Sequence, residues 1–425
     1  MDTSELKNPG REEKSFSLQP PGYLLSKLGL LILAGALIVA AWFGHVVIVI
    51  VLGLCLSAAV LSRLWSRWSL ARVECQRTVS EHRLFPGEQI ELKLRLTNRK
   101  LLPLPWVQVD DEVPIALTSN TDLRASEKLG YALMSKATAL LWYTAATWKL
   151  PLHCNRRGYY QLGPMTVTSG DIFGFYPRSR TGFLIEQVIV YPRIYPITYV
   201  GLPSLYPVGD ITTDQRIFED PTRIAGVRDY SPRDGWRRIH WKASARRQCL
   251  QVKVFEPTMT LKVALFLVVD SFQREQSQED EEFELGISVA ASLANHLIEK
   301  GSAVGLFVNS RLADSGQPGV LLPGSSISQM TEMLETLAKV TSAPSVDFEQ
   351  FFQAERSAIP WGTTLAFIGF NPSPTLKQLI ADLRQGGHRV SVFSIGDAGG
   401  NDIEPGIPWY NVRTPEDLER LEMNG

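Results

Sequence analysis

The sequence predicts an α/β plus β protein: a two-helix transmembrane hairpin, then an antiparallel β-sandwich, then a doubly wound parallel sheet. Three observations carry the prediction. Two apolar runs, residues 24–43 and 46–63, each approach the ~20 residues that cross a bilayer. From about residue 72 to 200, short segments alternate apolar and polar side chains between turn residues. From residue 261 onward, continuous apolar runs alternate with segments of helical spacing.

Length and composition set the frame. A chain of 425 residues is long enough for about three units, and a net charge of -1 gives no reason to expect nucleic acid or an acidic substrate. The four cysteines, Cys55, Cys75, Cys154 and Cys249, fit neither a zinc pattern nor a disulfide framework. They read as incidental thiols in a reducing compartment.

Residues 1–23 form a mixed-charge tail and residues 24–64 the hairpin, with Gly44 and His45 between the spans. One helix through both runs would be about 60 Å long, twice the ~30 Å hydrocarbon core, so two antiparallel spans are expected. Lys27 and Arg63 lie where they reach headgroups, and Trp42, Trp65 and Trp68 suit the interfaces. Lys7, Arg11, Lys14 and Lys27 precede or enter the first run; Arg63, Arg67, Arg72 and Arg77 follow the second, and the connecting turn has no cation. The positive-inside rule then places both termini and everything after residue 64 in the cytoplasm, as a multi-pass protein of the inner membrane. The apolar region is too long for a cleaved signal peptide.

In residues 72–200, Ile90, Leu92, Leu94 and Leu96 alternate with Glu91, Lys93 and Arg95, a half-buried strand preceded by a turn at Phe85, Pro86, Gly87 and Glu88. Residues 165–168 and 188–191 are further short strands, and the spacing predicts an immunoglobulin-like sandwich. Residues 129–141 alone carry a helical rhythm.

In residues 261–425, strands are expected at 263–269, 303–308, 365–370 and 390–395, and helices at 283–300, 327–338, 348–357, 375–385 and 415–423. Thr414 is the expected N-cap of the last helix. The acidic residues 275–284 read as a solvated loop and helix start.

Between these regions, residues 201–260 hold the densest chemistry. Gly226 to Tyr230 leaves a strand, Ser231-Pro232-Arg233-Asp234-Gly235 is a turn, and Leu250 to Phe255 returns as a strand. Residues 236–246 lack breakers and are expected to be a short helix, with Trp236, Ile239, His240 and Ala243 on one face and Arg237, Trp241 and Lys242 elsewhere. Four readings stay open here. Arg228, Arg233, Arg237, Arg238, Lys242, Arg246 and Arg247 can grip phosphates through guanidinium forks and ammonium charges. Asp234 and His240 can form an acid–base pair. The Trp and Arg side chains can dock a partner. Alternatively, Trp236, His240 and Trp241 pack between the two soluble domains. No Walker loop, HExxH, GxSxG or CxxC pair is present.

The run Gly226-x-Arg228-x-Tyr230, Asp234, Arg238-Ile239-His240-Trp241-Lys242-Ala243-Ser244-Ala245 and Leu250-x-Val252-Lys253 resembles the signature of the domain of unknown function 58 family. Arg157-Gly158-Tyr159-Tyr160-x-Leu162-Gly163-Pro164, Asp171-x-Phe173-Gly174 and Val190-Tyr191-Pro192 also resemble it, so the likeness covers essentially the whole chain. The resemblance implies a bacterial or archaeal membrane-anchored protein whose last region is a von Willebrand factor A-like domain. It also implies genes commonly beside MoxR-type AAA+ ATPases and sometimes beside transglutaminase-like membrane proteins, and no established activity.

An A-like domain suggests a metal site of the form Asp-x-Ser-x-Ser after its first strand, with a distant Thr and Asp. Asp270 is in place, but Phe272 and Arg274 occupy the serine positions and Asn371 follows the later strand; Thr363 or Thr364 is a weak candidate for the threonine. The site is degenerate, and no cofactor is expected. The leading expectation is a membrane-anchored scaffold that docks a MoxR-type ATPase or another envelope-associated partner, with Arg228, Tyr230, Asp234, Arg238, His240, Trp241, Lys242 and Arg246 as its signature residues. The rivals are an enzyme on a phosphorylated or envelope-linked substrate, using Asp234 and His240, and a cation-dependent binding module through Asp270.

Overall fold

Gly44 takes φ +73°, a conformation that glycine adopts without steric cost, and turns the chain between helix α1 (Lys27–Trp42) and helix α2 (Val46–Ser69). The computed structural model describes residues 16–18, 27–118, 124–126, 128–182, 185–198, 219–231, 235–236, 239–257, 261–273, 279–370, 372–396, 406–419 and 421. The helices touch: Leu37 Cδ1 lies 3.7 Å from the place of a Cβ on Gly53.

The expectation of spans at residues 24–43 and 46–63 is met by two helices of unequal length. α1 has 16 residues, about 24 Å at ~1.5 Å per residue, whereas α2 has 24. Among the described residues, α2 is the one helix long and apolar enough to cross a membrane. It also runs past the expected end at residue 63, through Arg63 and Arg67 to Ser69. The reason is packing: Ala59, Ser62, Ser66 and Ser69 are buried on one helical face. Ser66 Oγ donates to Tyr176 O at 2.5 Å. The Lys100 ammonium donates to Ser69 O and, at 2.9 Å, to Ala71 O, satisfying carbonyls at a helix C-terminus, where the macrodipole favours a cation. Burial draws the pKa of Lys100 down to about 8.

Two units divide the chain, Met1–Arg193 and Ile194–Gly425. Among the described residues the first is built on three sheets. One holds β1 (Phe16–Leu18), β5 (Leu104–Pro114), β6 (Arg124–Ala125), β7 (Tyr131–Leu140), β10 (Met165–Ser169) and β11 (Arg178–Gly182), in the order β1-β11-β10-β5-β7-β6 and antiparallel throughout. The others are β2-β4-β8, from β2 (Val73–Val79), β4 (Gln89–Asn98) and β8 (Ala145–His153), and β3-β12-β9, from β3 (Arg83–Leu84), β9 (Gly158–Leu162) and β12 (Glu186–Val190). The period-2 pattern reads out directly: Ile90, Leu92, Leu94 and Leu96 are buried with Val107, Val109, Val188 and Val190. The helical rhythm at residues 129–141 is overruled. Those residues form β7, paired along its length with β5, because long-range pairing outweighs a weak local period.

Arg77, one of the cations counted after the second apolar run, lies inside this unit. Its Nη1 is 2.8 Å from Asp111 Oδ1, and both side chains are fully buried. Its Nη2 donates to Leu162 O at 2.9 Å, and its Nε is 3.6 Å from Glu186 Oε2. Burial, opposed by Arg77, pushes the Asp111 carboxyl up to about 6.

In the second unit, β13 (Glu219–Asp229) and β14 (Gln251–Pro257) pair antiparallel and flank helix α3 (Trp241–Arg247). A six-stranded sheet follows, from β15 (Lys262–Leu267), β16 (Ala303–Val308), β18 (Gly319–Gly324), β20 (Thr364–Phe370), β21 (Val390–Ile395) and β22 (Trp409–Val412), in the order β18-β16-β15-β20-β21-β22. β17 (Ser310–Leu312) and β19 (Val340–Pro344) pair separately. All neighbours in the large sheet are parallel except the edge strand β18. Helices α4 (Glu279–Glu299), α5 (Ile327–Lys339), α6 (Phe348–Glu355) and α7 (Pro374–Gln385) alternate with the strands. Phe266 is the hub of the core, with ring centroids 4.8 Å from Phe307, 5.2 Å from Phe367 and 5.4 Å from Phe352.

One expectation here needs correction, and one strand was not foreseen. The last helix is a short 3-10 turn, Pro415–Leu418, closed by Asp417 accepting from Thr414 N at 2.9 Å. The strand β22, four residues between Pro408 and a capping turn, carries too little periodicity to be read from sequence.

Candidate functional site: the signature hairpin and the sheet's switch point

The register of β13 and β14 sets Val227 opposite Lys253, Arg228 opposite Val252 and Asp229 opposite Gln251, and Tyr230 N donates to Leu250 O at 2.8 Å. The helix inserted between them is shorter than expected: it spans Trp241–Arg247, not residues 236–246. The cause is His240. Its backbone N donates to Gln251 O at 2.8 Å, and Ile239 bridges Val252, so this stretch is bound to β14 and cannot be helical. His240 is instead the N-cap, its Nδ1 accepting from Ala243 N at 3.1 Å. An imidazole that accepts through Nδ1 carries its proton on Nε2.

Beneath the surface the segment is closed by a polar knot that the sequence reading missed. Ser244 Oγ donates to His240 O at 3.0 Å and accepts from Gln251 N at 2.8 Å. Gln251, fully buried, donates through Nε2 to Asp229 Oδ1 and, at 3.2 Å, to Cys249 Sγ. Burial of both Gln251 and Val252 arises only once α3 folds back over β14.

The described signature residues other than His240 face solvent. Within their own unit Trp236 is 72% exposed and Trp241 69%. Arg228, Tyr230, Lys242 and Arg246 are exposed, with Arg228 Nη1 donating to Asp229 O at 3.2 Å. Asp234 and Arg238, with Arg233 and Arg237, lie outside the described residues. Thus the structure joins His240, Ser244 and Gln251 in one bonded cluster and spreads the cations and tryptophans over its exterior.

At the end of α3, Gln248 sits in the left-handed region at φ +53°, a conformation that costs a residue with a Cβ ~1 kcal/mol. Gln248→Gly is expected to stabilise the hairpin by about 0.5–1 kcal/mol, read as slower hydrogen exchange of the α3 amides; faster exchange would refute it.

The second candidate is the C-terminal edge of the parallel sheet. Counted along this sheet alone, the strand order is 3-2-1-4-5-6, so the chain reverses direction of winding between β15 and β20, the place where such sheets bind ligands. Asp270 and Ser271 stand there, and their polar atoms tie backbone together. Asp270 Oδ2 accepts from Phe348 N at 3.0 Å. Ser271 Oγ donates to Val268 O at 2.5 Å and accepts from Phe370 N at 3.0 Å. Gly369 makes room for this hydroxyl: a Cβ there would lie 2.7 Å from Ser271 Oγ. Phe272, at a serine position of the metal motif, is buried with its ring 5.6 Å from that of Phe283. Thr364 pairs with Val263 at the opposite end of the parallel strands, and Thr363 Oγ1 donates to Pro360 O at 2.6 Å, so neither reaches Asp270. Among the described residues no cluster of three metal-ligating side chains forms; Arg274 and Asn371 lie outside them.

All four cysteines are free. Burial raises the Cys75 thiol to about 12 and the Cys154 thiol to about 11, so neither supplies a thiolate at neutral pH.

Residues 226–354 match the model of a family described as protein of unknown function DUF58. The match begins at the signature hairpin and ends in α6; it does not extend to the upstream run 157–164. The protein YeaD of Bacillus subtilis, itself described as uncharacterized, is 24% identical over 241 residues, 56% of each chain; this chain thus spans about half the length of that relative. Among solved structures, the alkylpurine DNA glycosylase AlkC of Pseudomonas fluorescens bound to abasic DNA covers 31% of this chain and 36% of its own at 14% identity, with a TM-score of 0.19. The CARDB domain of a Pyrococcus furiosus protein covers 28% of this chain and 89% of its own at 10% identity, with a TM-score of 0.18. Neither likeness extends to the architecture of this chain.

Proposed function

We propose that this protein is a membrane-anchored scaffold whose DUF58 hairpin docks a protein partner with an acidic surface. One observation carries the reading. Trp236 and Trp241 stay about 70% exposed, although the hairpin under them is closed by buried hydrogen bonds. Exposed indoles beside Arg228, Lys242, Arg246 and Arg247 have the composition of an interface hot spot. The MoxR-type AAA+ ATPase suggested by the family resemblance is the first partner to test, and a transglutaminase-like membrane protein the second. The parallel sheet, read as von Willebrand factor A-like, and the antiparallel unit, read as immunoglobulin-like, are the rigid supports.

Anchoring rests on α2. The short helix α1 packs against it and enters the same bilayer as the other arm of the hairpin. Support comes from β1, ahead of α1, which pairs with β11, after α2: strands cannot pair across a bilayer, and the pairing is what a hairpin with both ends on one side requires. Arg63, Arg67 and Arg72 make that side the cytoplasm. The acid–base reading gains no support, because Nδ1 of His240 is occupied by the helix cap.

The test is binding of the full-length chain, held in nanodiscs, to the MoxR-type ATPase of its own host. Trp236→Ser with Trp241→Ser is expected to weaken binding ~30-fold or more, the effect of losing a hot spot of about 2 kcal/mol, with the thermal transition unchanged. Unaltered affinity in the double variant, or no binding by the parent chain, rejects this reading.

A further inference from the structure

The sequence Asp171-Ile172-Phe173-Gly174-Phe175-Tyr176 between β10 and β11 is held in a fixed form. Asp171 is fully buried, and its carboxylate accepts from Phe173 N at 3.1 Å and from Tyr176 N at 2.7 Å. Its carbonyl accepts from Trp106 Nε1 at 2.9 Å, and Gly174 turns the tip at φ +73°. This rigid loop points its apolar side chains outward: Ile172 is 57% exposed, Phe173 61% and Phe175 41%, the two rings stacked 5.4 Å apart. A tip of this kind is unfavourable in water.

Its position says what covers it. Tyr176 O accepts from Ser66 Oγ of α2. From Val46 to Ser66 the helix rises about 30 Å, the thickness of the hydrocarbon core, so the loop stands level with the headgroups. Arg63 and Arg67 of α2 sit at the same level, near enough to Arg178 that, after burial, they are what lowers its pKa. Three guanidinium groups drawn together call for an anionic counterpart, and phosphates of acidic lipids provide it at this depth.

We propose that the loop is a membrane-insertion wedge: Ile172, Phe173 and Phe175 enter the interfacial layer of the bilayer spanned by α2, while Arg63, Arg67 and Arg178 bind the phosphates of anionic lipids. The inference rests on α2 being the anchor. It adds a second attachment, which fixes the tilt of the first unit on the membrane.

The test uses the full-length chain with Cys55→Ala and Cys249→Ser, in nanodiscs of phosphatidylcholine and phosphatidylglycerol in which some lipids carry a nitroxide, near the glycerol backbone to read positions 172, 173 and 129 and deep in the acyl chain to read position 54. The remaining thiols, Cys75 and Cys154, are held protonated. An environment-sensitive fluorophore is attached through Phe173→Cys, through Leu54→Cys within α2, or through the fully exposed Leu129→Cys. Quenching at 173 is expected to exceed that at 129 by roughly two-fold or more, and to fall when phosphatidylglycerol is omitted or when Arg67→Gln and Arg178→Gln are combined. Ile172→Cys gives a second reading of the same tip should the first label disturb it. Quenching at 54 with none at 172 or 173 overturns the wedge and leaves the anchor standing. No quenching at 54 removes the anchor, and the wedge with it.

Discussion

Arg77→Met, with Asp111 left in place, is expected to destabilise the first unit by ~3–5 kcal/mol, the cost of leaving one partner of a buried ion pair uncompensated. Both side chains are fully buried, joined at 2.8 Å, and Arg77 also donates to Leu162 O at 2.9 Å, so the substitution orphans a carboxylate and a carbonyl together. The double variant Arg77→Met with Asp111→Leu is expected to recover most of the loss, because two apolar groups of similar volume need no partner. The pH dependence has a definite sign. Asp111 has a folded pKa raised from 3.8 to about 6. Its protonation linkage therefore supports the fold fully below about 3.8, and that support is lost as pH rises through about 6. Removing Arg77 removes the cation that holds the value down, so the penalty in Arg77→Met is expected to be smaller at pH 5 than at pH 7.5. Denaturant titrations of the two variants at both pH values, followed by hydrogen exchange in β2 and β5, measure this. A single variant as stable as the parent at neutral pH refutes it.

Phe266→Ala is expected to cost the second unit ~3–5 kcal/mol, the range for deleting a fully buried aromatic ring. Phe266 stacks between Phe307 and Phe367 and contacts Phe352 and Phe348. These rings come from three parallel strands and from α6, and no flexible side chain among them can fill the void. Leu322→Ala on the exposed face of β18 serves as the control, with an expected change within about 0.5 kcal/mol. Global exchange of the β15 and β20 amides is the readout, since the chain has two units and a single melting temperature does not isolate one of them. A loss below about 1 kcal/mol for Phe266→Ala would mean the core repacks around the gap.

The candidate site was legible only in part. The two flanking strands were readable because alternating apolar residues act locally; the turn expected at 231–235 lies largely outside the described residues. The helix boundary was not readable. Residues 236–246 contain no breaker, and what ends the helix at His240 is a hydrogen bond to Gln251, contributed by the next strand. The same holds at the switch point: Asp270 could be picked out as a metal ligand by position, but its bond to Phe348 N crosses 78 residues.

The sequence by itself determined the apolar length of α2, the two-residue period of the antiparallel strands and the alternation of strand and helix after residue 261, because each depends on neighbours within a few turns. Only the tertiary structure decided that Arg77 is a core ion-pair partner, that the indoles of Trp236 and Trp241 are exposed within their unit, and that the loop at Phe173 lies beside α2. Those outcomes depend on which segments meet. Arg77 and Asp111 are 34 residues apart, and Ser66 and Tyr176 are 110 apart. Pairing at such separations is set by how whole sheets exclude water together, a property that no local stretch of residues contains.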